Sequence, residues 1–170
     1  MLSPVKRPLV AVVLCVLTGC AVLVPPIDQR TTQGPTAAEF WTARVMTQTG
    51  RSPSFEERRH FEDEMDERIA RYLREHQDAA NSITVTSFRS LRQVTVGMDQ
   101  GQVEILLGAP LTTTRDAAQM QTLARHHWPD IRDKAKPDEA WTYPFGWVIY
   151  FKESRVADIT QYLPPSLPRT

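Results

Sequence analysis

The chain has 170 residues, of which 41% are hydrophobic, and its 20 basic residues balance its 20 acidic ones. This composition excludes a chain that is disordered throughout, and the absence of a basic block excludes the charged surface that binds nucleic acids. The length suits one domain of ordinary size with its own hydrophobic core.

The first 19 residues have the layout of a secretory signal peptide. Lys6 and Arg7 precede an apolar run over residues 9–17, which is shorter than the ~20 apolar residues that a membrane-spanning helix needs. Residues 17–20 (LTGC) resemble the lipobox of bacterial lipoproteins. That resemblance implies cleavage before Cys20 and a covalent lipid, with acyl chains such as palmitate, on this cysteine. The alternative is an ordinary signal peptide, or an apolar stretch with a chance cysteine.

Lipidation would leave the mature chain without a free cysteine, because Cys15 is removed with the signal peptide. Stability would then come from the packed core and not from a disulfide. The residue after Cys20 is Ala21 and not Asp. By resemblance to Gram-negative lipoproteins, this favours the outer membrane, with the protein anchored at the periplasmic face.

Residues 20–35 contain two proline-bearing pairs and no lasting periodicity, which predicts a flexible tether. Thr36 with Glu39, and Ser54 with Glu57, have the spacing of helix-capping boxes. They predict two helices, one ending near Gly50 and one reaching residue 76, within a helical N-terminal extension over 36–80. The apolar stripe of the second helix fits packing on the domain or, alternatively, binding of a partner.

Residues 83–88 are β-branched and aromatic, which predicts a strand or an extended segment. Gly97 permits a tight turn, and Asp99 with Gln102 predicts the capped start of a helix. Val103, Leu106 and Leu107 would bury one face of that helix. Gly108 suits a positive φ that stops the helix, and Pro110 prevents it from resuming.

The segment 97–110 and the pair Trp141 and Tyr143 together resemble the SmpA/OmlA (BamE-like) family of outer-membrane lipoproteins. The family pattern is G-M-T-x-x-Q-V-x-x-x-L-G-x-P, then a strand with W-x-Y and a closing hairpin. The matching positions in this chain are Gly97, Met98, Gln102, Val103, Leu107, Gly108, Pro110, Trp141 and Tyr143. Strand-like segments at 147–151 and 155–159, joined by a polar turn, complete the resemblance. It covers residues 83–163, followed by a proline-rich tail at 164–170.

Two departures separate the chain from compact members of that family. Asp99 replaces the usual threonine, which preserves a helix cap. The interval between Pro110 and Trp141 is long, and residues 116–127 within it predict an extra helix with Met120 on its apolar side. The resemblance therefore supports the shared domain more than identity with the assembly-machinery subunit itself.

The sequence predicts no metal site, cofactor or catalytic residue. His126 and His127 are adjacent, so a regular helix would point them in different directions, and no carboxylate stands at ligand spacing. The carboxylates over 63–67 are interleaved with arginines, which favours a solvated face over acid–base catalysis. No nucleophile motif or phosphate-binding loop is present. A hydrolase ranks well below the non-catalytic hypotheses.

Four aromatic residues lie close together near the end of the chain. Strand alternation places Trp141 and Tyr143 on one face, where we expect them to pack on the 97–110 helix. Phe145 and Trp147 flank Pro144 and Gly146 near a turn. We therefore expect these two side chains to be partly exposed, and they are the candidates for contact with a partner.

These features predict an α+β fold, with helices packed on one face of a small antiparallel sheet of three strands. The resemblance implies a lipid-anchored, non-catalytic envelope scaffold at or beside the β-barrel assembly machinery, bound to the membrane by lipid and to an envelope protein. The alternative is a periplasm-facing binding module for a different envelope protein, in which the added helices give specificity. Neither hypothesis involves nucleic acid or a small-molecule substrate.

Overall fold

The computed structural model of the chain describes residues 26–165, which form six α-helices, a five-stranded antiparallel sheet and a two-stranded sheet. The helices are α1 (Ala37–Thr49), α2 (Phe55–Glu75), α3 (Gln77–Ala80), α4 (Gln100–Leu107), α5 (Ala117–Ala124) and α6 (Trp128–Asp130). The strands are β1 (Ile27–Thr31), β2 (Gln33–Thr36), β3 (Gln93–Thr95), β4 (Thr112–Thr114), β5 (Glu139–Thr142), β6 (Trp147–Lys152) and β7 (Arg155–Leu163). Shorter helical turns cover Ser87–Leu91, Arg125–His127, Ile131–Ala135 and Pro144–Gly146. The predicted α+β class is confirmed, whereas the three-stranded arrangement is not.

The main sheet has the strand order β1-β7-β6-β5-β4, and its centre is the predicted hairpin of β6 and β7. Ile149 of β6 lies opposite Ile159 of β7 and Trp141 of β5. The hairpin turns at Glu153 and Ser154, both of which have positive φ. The second sheet pairs β2 with β3.

The predicted flexible tether over 20–35 is wrong from residue 27 onward, because β1 and β2 lie there. β1 pairs along its whole length with β7, from Ile27 opposite Leu163 to Thr31 opposite Ile159. An edge strand of this kind needs backbone partners but few apolar side chains, so its sequence shows no hydrophobic alternation. Arg30 instead reaches the buried carboxylate of Asp158 in a bidentate ion pair, with its shortest N–O distance 2.6 Å.

Helices cover both faces of the main sheet, so the prediction that they pack on one face only is wrong. Ile149 and Phe151 of β6 belong to a core shared with α1, α2 and α4. Val148 and Tyr150 alternate with them and join a second cluster with Met120 of α5. The inserted helix expected over 116–127 is present as α5, and the helical segment that continues to residue 135 covers the second face.

The two N-terminal helices are part of the first core and do not form a separate layer. Phe40 of α1 and Met65 and Ile69 of α2 are buried in the same cluster as Val103 of α4. The capping boxes predicted at Thr36, Ser54 and Asp99 are all present. Helix α2 therefore uses its apolar stripe for packing on the domain.

The strand or extended segment predicted over residues 83–88 is wrong. Residues 83 and 84 lie in a turn, and residues 85 and 86 are helical and lead into the wide turn Ser87–Leu91, with the Phe88 amide donating to the Thr84 carbonyl at 2.9 Å. Phe88 is fully buried against α2, whereas Ile83 is 99% exposed. Burial of the one aromatic ring thus overrides the β propensity of its neighbours.

Within residues 26–165, no helix is long and apolar enough to cross a membrane. The predicted signal peptide, Cys20 and the last five residues of the tail lie outside the described part of the chain.

Candidate functional site

The segment 97–110 is held against the start of β7 by its first residues. Gly97 has φ +94°, and its amide donates to the Val156 carbonyl at 2.7 Å. The Val156 amide in turn donates to the Met98 carbonyl at 2.7 Å, and the Met98 side chain is fully buried. The residues just before α4 are therefore attached to β7 by two backbone hydrogen bonds.

Helix α4 starts and stops as its sequence predicts. The Asp99 carboxylate accepts from the Gln102 amide at 2.9 Å, and the Gln102 side chain returns a bond to the Asp99 amide at 3.0 Å. Val103 and Leu107 lie on the buried face. The helix ends at Gly108, whose φ is +80°, and half-buried Pro110 follows in the connection to β4.

The structure brings the W-x-Y residues onto α4, so the packing predicted for Trp141 and Tyr143 is confirmed. Both are buried in the core that contains Val103 and Leu107. The Tyr143 hydroxyl donates to the Gly108 carbonyl at 3.1 Å, which joins the end of α4 to the sheet. Burial is the main reason that the pKa of Tyr143 lies above its usual range, so the phenol stays protonated as a donor.

Glu139 fixes the ring of Trp141, an arrangement that sequence reasoning missed. The Trp141 indole Nε1 donates to Glu139 Oε1 at 2.7 Å, and Arg115 and Gln100 contact the other carboxylate oxygen. Burial works against the charged carboxylate, but the hydrogen bonds from Trp141 and then Arg115 lower the pKa of Glu139 overall. The spacing of Glu139 two residues before Trp141, on one strand face, is the only sequence feature that could have indicated this pair.

Tyr72, which belongs to the apolar stripe of α2, makes a second contact that the sequence did not indicate. Its hydroxyl donates to the capping carboxylate of Asp99 at 2.6 Å, which links α2 to the start of α4. A Cβ on Gly101 would lie 2.9 Å from the Tyr72 ring, so the glycine allows this close approach. Helix α2 is thus joined to the segment 97–110.

Phe145 and Trp147 are half-buried at the turn between β5 and β6. Phe145 has φ +61° and packs edge-to-face on Phe40 of α1, with ring centroids 5.8 Å apart. Gly146 is required beside it, because a Cβ there would lie 1.7 Å from the Tyr162 carbonyl oxygen. Their role in partner contact stays a prediction.

A groove lies between α1, the end of α4 and this turn, with a volume of about 520 Å³. Its apolar lining includes Phe40, Leu107 and Phe145, and Leu111 stands on its rim with 66% of its surface exposed. Arg44 adds a cation to the same wall. The groove therefore combines three parts of the chain that the sequence analysis treated separately.

Comparisons with models of protein families, with curated proteins and with solved structures find no match for this chain.

Proposed function

We propose that the chain is a lipid-anchored, non-catalytic scaffold on the periplasmic face of the outer membrane, acting as an accessory of the β-barrel assembly machinery or as a paralogue of one. The observation that carries the proposal is the LTGC motif at 17–20, followed at once by a folded domain that starts with β1 at Ile27. Even fully extended, residues 21–26 span only about 20 Å. A lipid on Cys20 would hold the domain close to the headgroups and raise its effective concentration near membrane partners.

The groove beside Phe145 is the surface that we assign to partner contact. Exposed Leu111 and half-buried Phe145 offer apolar contact, and Arg44 favours a partner that carries an acidic group nearby. Phe145 has a positive φ, and the Tyr162 carbonyl lies where a Cβ on Gly146 would be, so the turn packs closely on β7. A surface that is already formed before binding loses little conformational entropy when it binds.

The distribution of charged groups supports a non-catalytic role. Among the carboxylates of α2, Asp63 lies near Arg59, Glu64 near Arg68 and Asp66 near Arg92. Asp63 and Asp66 are largely exposed, and the Glu64 side chain is 45% exposed. This is the pattern of a solvated helix face and not of a pair of acids with divergent environments.

The second candidate is a binding module for a different envelope protein, with the added helices giving specificity. The position of α1 favours it, because Phe40 and Arg44 of this helix form one wall of the groove. Under this alternative, residues 83–163 support the groove, and the side chains of α1 determine which partner binds. The resemblance of the sequence motifs to a family does not by itself decide between the two.

The test is photo-crosslinking in living cells with a photo-reactive amino acid at position 111, read by mass spectrometry. Position 83 is the matched control, because Ile83 is also a large exposed apolar residue and does not line the groove. Adducts with β-barrel assembly components at 111 and not at 83 are the expected result. One unrelated envelope protein at 111 would favour the alternative, and equal labelling from both positions would contradict both hypotheses.

A further inference from the structure

Three side chains that are distant in sequence converge beside the edge strand β1. His127 Nε2 lies 3.2 Å from Asp28 Oδ1, and His126 Nδ1 lies 3.6 Å from Asp28 Oδ2. Each residue offers one ligand atom, and these three atoms all lie within 4.8 Å of one another. The expectation that no carboxylate lies at ligand distance from the histidines is therefore wrong, because Asp28 is close to them in space but far from them in the sequence.

The backbone at Arg125 explains why two adjacent histidines face the same carboxylate. Arg125 has φ +58°, and the helix changes there from the α form to the 3₁₀ turn Arg125–His127. The two imidazole rings lie with their centroids 3.9 Å apart. In this 3₁₀ turn the two side chains are not separated as they would be on a regular α-helix.

The ligand spacing fits a small tetrahedral cation. Atoms bound at 2.0–2.1 Å to tetrahedral zinc lie about 3.3 Å from one another. Asp28 Oδ1 lies 3.2 Å from His127 Nε2 and Asp28 Oδ2 lies 3.6 Å from His126 Nδ1, on either side of that value, so the carboxylate faces each imidazole with a different oxygen. The three ligand atoms, one from each residue, lie within 4.8 Å of one another, and a small closure around the cation would bring them to tetrahedral spacing. His127 Nε2 is buried and makes no hydrogen bond in the described part of the chain, so its polar atom faces the carboxylate without being satisfied by it.

Arg125 supports the carboxylate from the outer side. Its Nε lies 3.3 Å from Asp28 Oδ2, and its guanidinium stacks over the Tyr162 ring at 3.8 Å from the centroid. Asp28 Oδ1 is left facing His127. Carboxylates that bind metals are commonly oriented by such a second hydrogen bond.

We propose that Asp28, His126 and His127 form a binding site for a divalent transition-metal cation, best matched by Zn²⁺, that fastens β1 to the helical layer on the second face of the sheet. Two imidazoles and one carboxylate suit zinc, whereas Ca²⁺ and Mg²⁺ prefer oxygen ligands alone. With three protein ligands, a fourth position stays open for water or an external ligand. The inference does not depend on the proposed function.

The test is calorimetric titration of Zn²⁺ into the full chain, purified in detergent without a polyhistidine tag and freed of metal by a chelator. We expect one Zn²⁺ per chain with a Kd of about 10⁻⁶ M or tighter. Asp28→Asn and His127→Ala should each weaken binding by about tenfold or more. His60→Ala is the matched control, because His60 Nε2 also lies 3.1 Å from a carboxylate, that of Glu64, but in a two-residue pair.

A second readout guards against variants that fail to fold. In the natural chain, imidazole NMR signals of His126 and His127 should shift on Zn²⁺ addition, while those of His60 and His76 should not. Ca²⁺ at the same concentration should leave all four unchanged. No Zn²⁺ binding up to about 10⁻³ M, binding that Asp28→Asn leaves unchanged, or shifts at His60 and His76 instead would overturn the proposal.

Discussion

Replacing Arg30 with alanine should weaken the attachment of the edge strand β1 and leave the buried carboxylate of Asp158 without its ion-pair partner. Asp158 is only 4% exposed, and Arg30 contacts both of its oxygens at 2.6–3.0 Å. Removing one member of a buried ion pair costs about 3–5 kcal/mol. The Arg30 side chain is 28% exposed, so water can reach the vacated position. We therefore expect a loss of about 3 kcal/mol, at the lower end of that range.

Denaturant unfolding followed by circular dichroism measures this loss. The double variant Arg30→Met with Asp158→Leu removes both charges and should recover most of the stability, because no buried charge is then left unpaired. Arg51→Ala is the matched control, since Arg51 also forms a bidentate pair with Glu57, but on the surface. Its effect should be far smaller. A loss below about 1 kcal/mol for Arg30→Ala, or one equal to that of Arg51→Ala, would refute the reasoning.

Two further predictions concern the turn and the sheet beside the groove. Gly146 and Gly50 both have φ +73°. A Cβ added at Gly146 would lie 1.7 Å from the Tyr162 carbonyl oxygen, whereas a Cβ added at Gly50 would have no described atom within 4 Å. Gly50→Ala should therefore lower the free energy of unfolding by about 1–2 kcal/mol, and Gly146→Ala should lower it distinctly more. Equal losses in thermal unfolding would contradict the close approach of Gly146 to Tyr162. Burial raises the pKa of Glu139, but the hydrogen bonds to its carboxylate outweigh burial and hold the pKa below its usual 4.5. The ionised Glu139 therefore stabilises the fold above pH 4.5, and this stabilisation is lost as the pH falls through the lower pKa of the folded state. Glu139→Gln should thus reduce stability at neutral pH and flatten the acid limb of the stability–pH curve, and an unchanged acid limb would argue against this role.

Local sequence patterns predicted the helix starts and the central hairpin well. The capping boxes at Thr36, Ser54 and Asp99 depend on residues three apart, so they are visible in the sequence and are present in the structure. The packing of Trp141 and Tyr143 on α4 followed from strand alternation. The caps were predictable because each depends on residues three apart, and the distant contact of Tyr72 with Asp99 leaves the cap in place.

Features set by distant contacts could not be predicted in the same way. β1 is polar, and its place in the sheet depends on pairing with β7 and on Asp158, far along the chain. The second helical layer appeared in the sequence only as one helix, with no indication of which sheet face it covers. The approach of Asp28 to His126 and His127 likewise requires both β1 and the helical break at Arg125.

The most direct test of the central claim compares in-cell photo-crosslinking from position 111 in the natural chain and in Cys20→Ala. If a lipid on Cys20 holds the groove near its partner, the adduct with a β-barrel assembly component should form in the natural chain. Its yield should then fall by at least about tenfold in the variant at equal protein level, because the effective concentration is lost. An adduct that forms equally without Cys20, or no such adduct in the natural chain, would contradict the account.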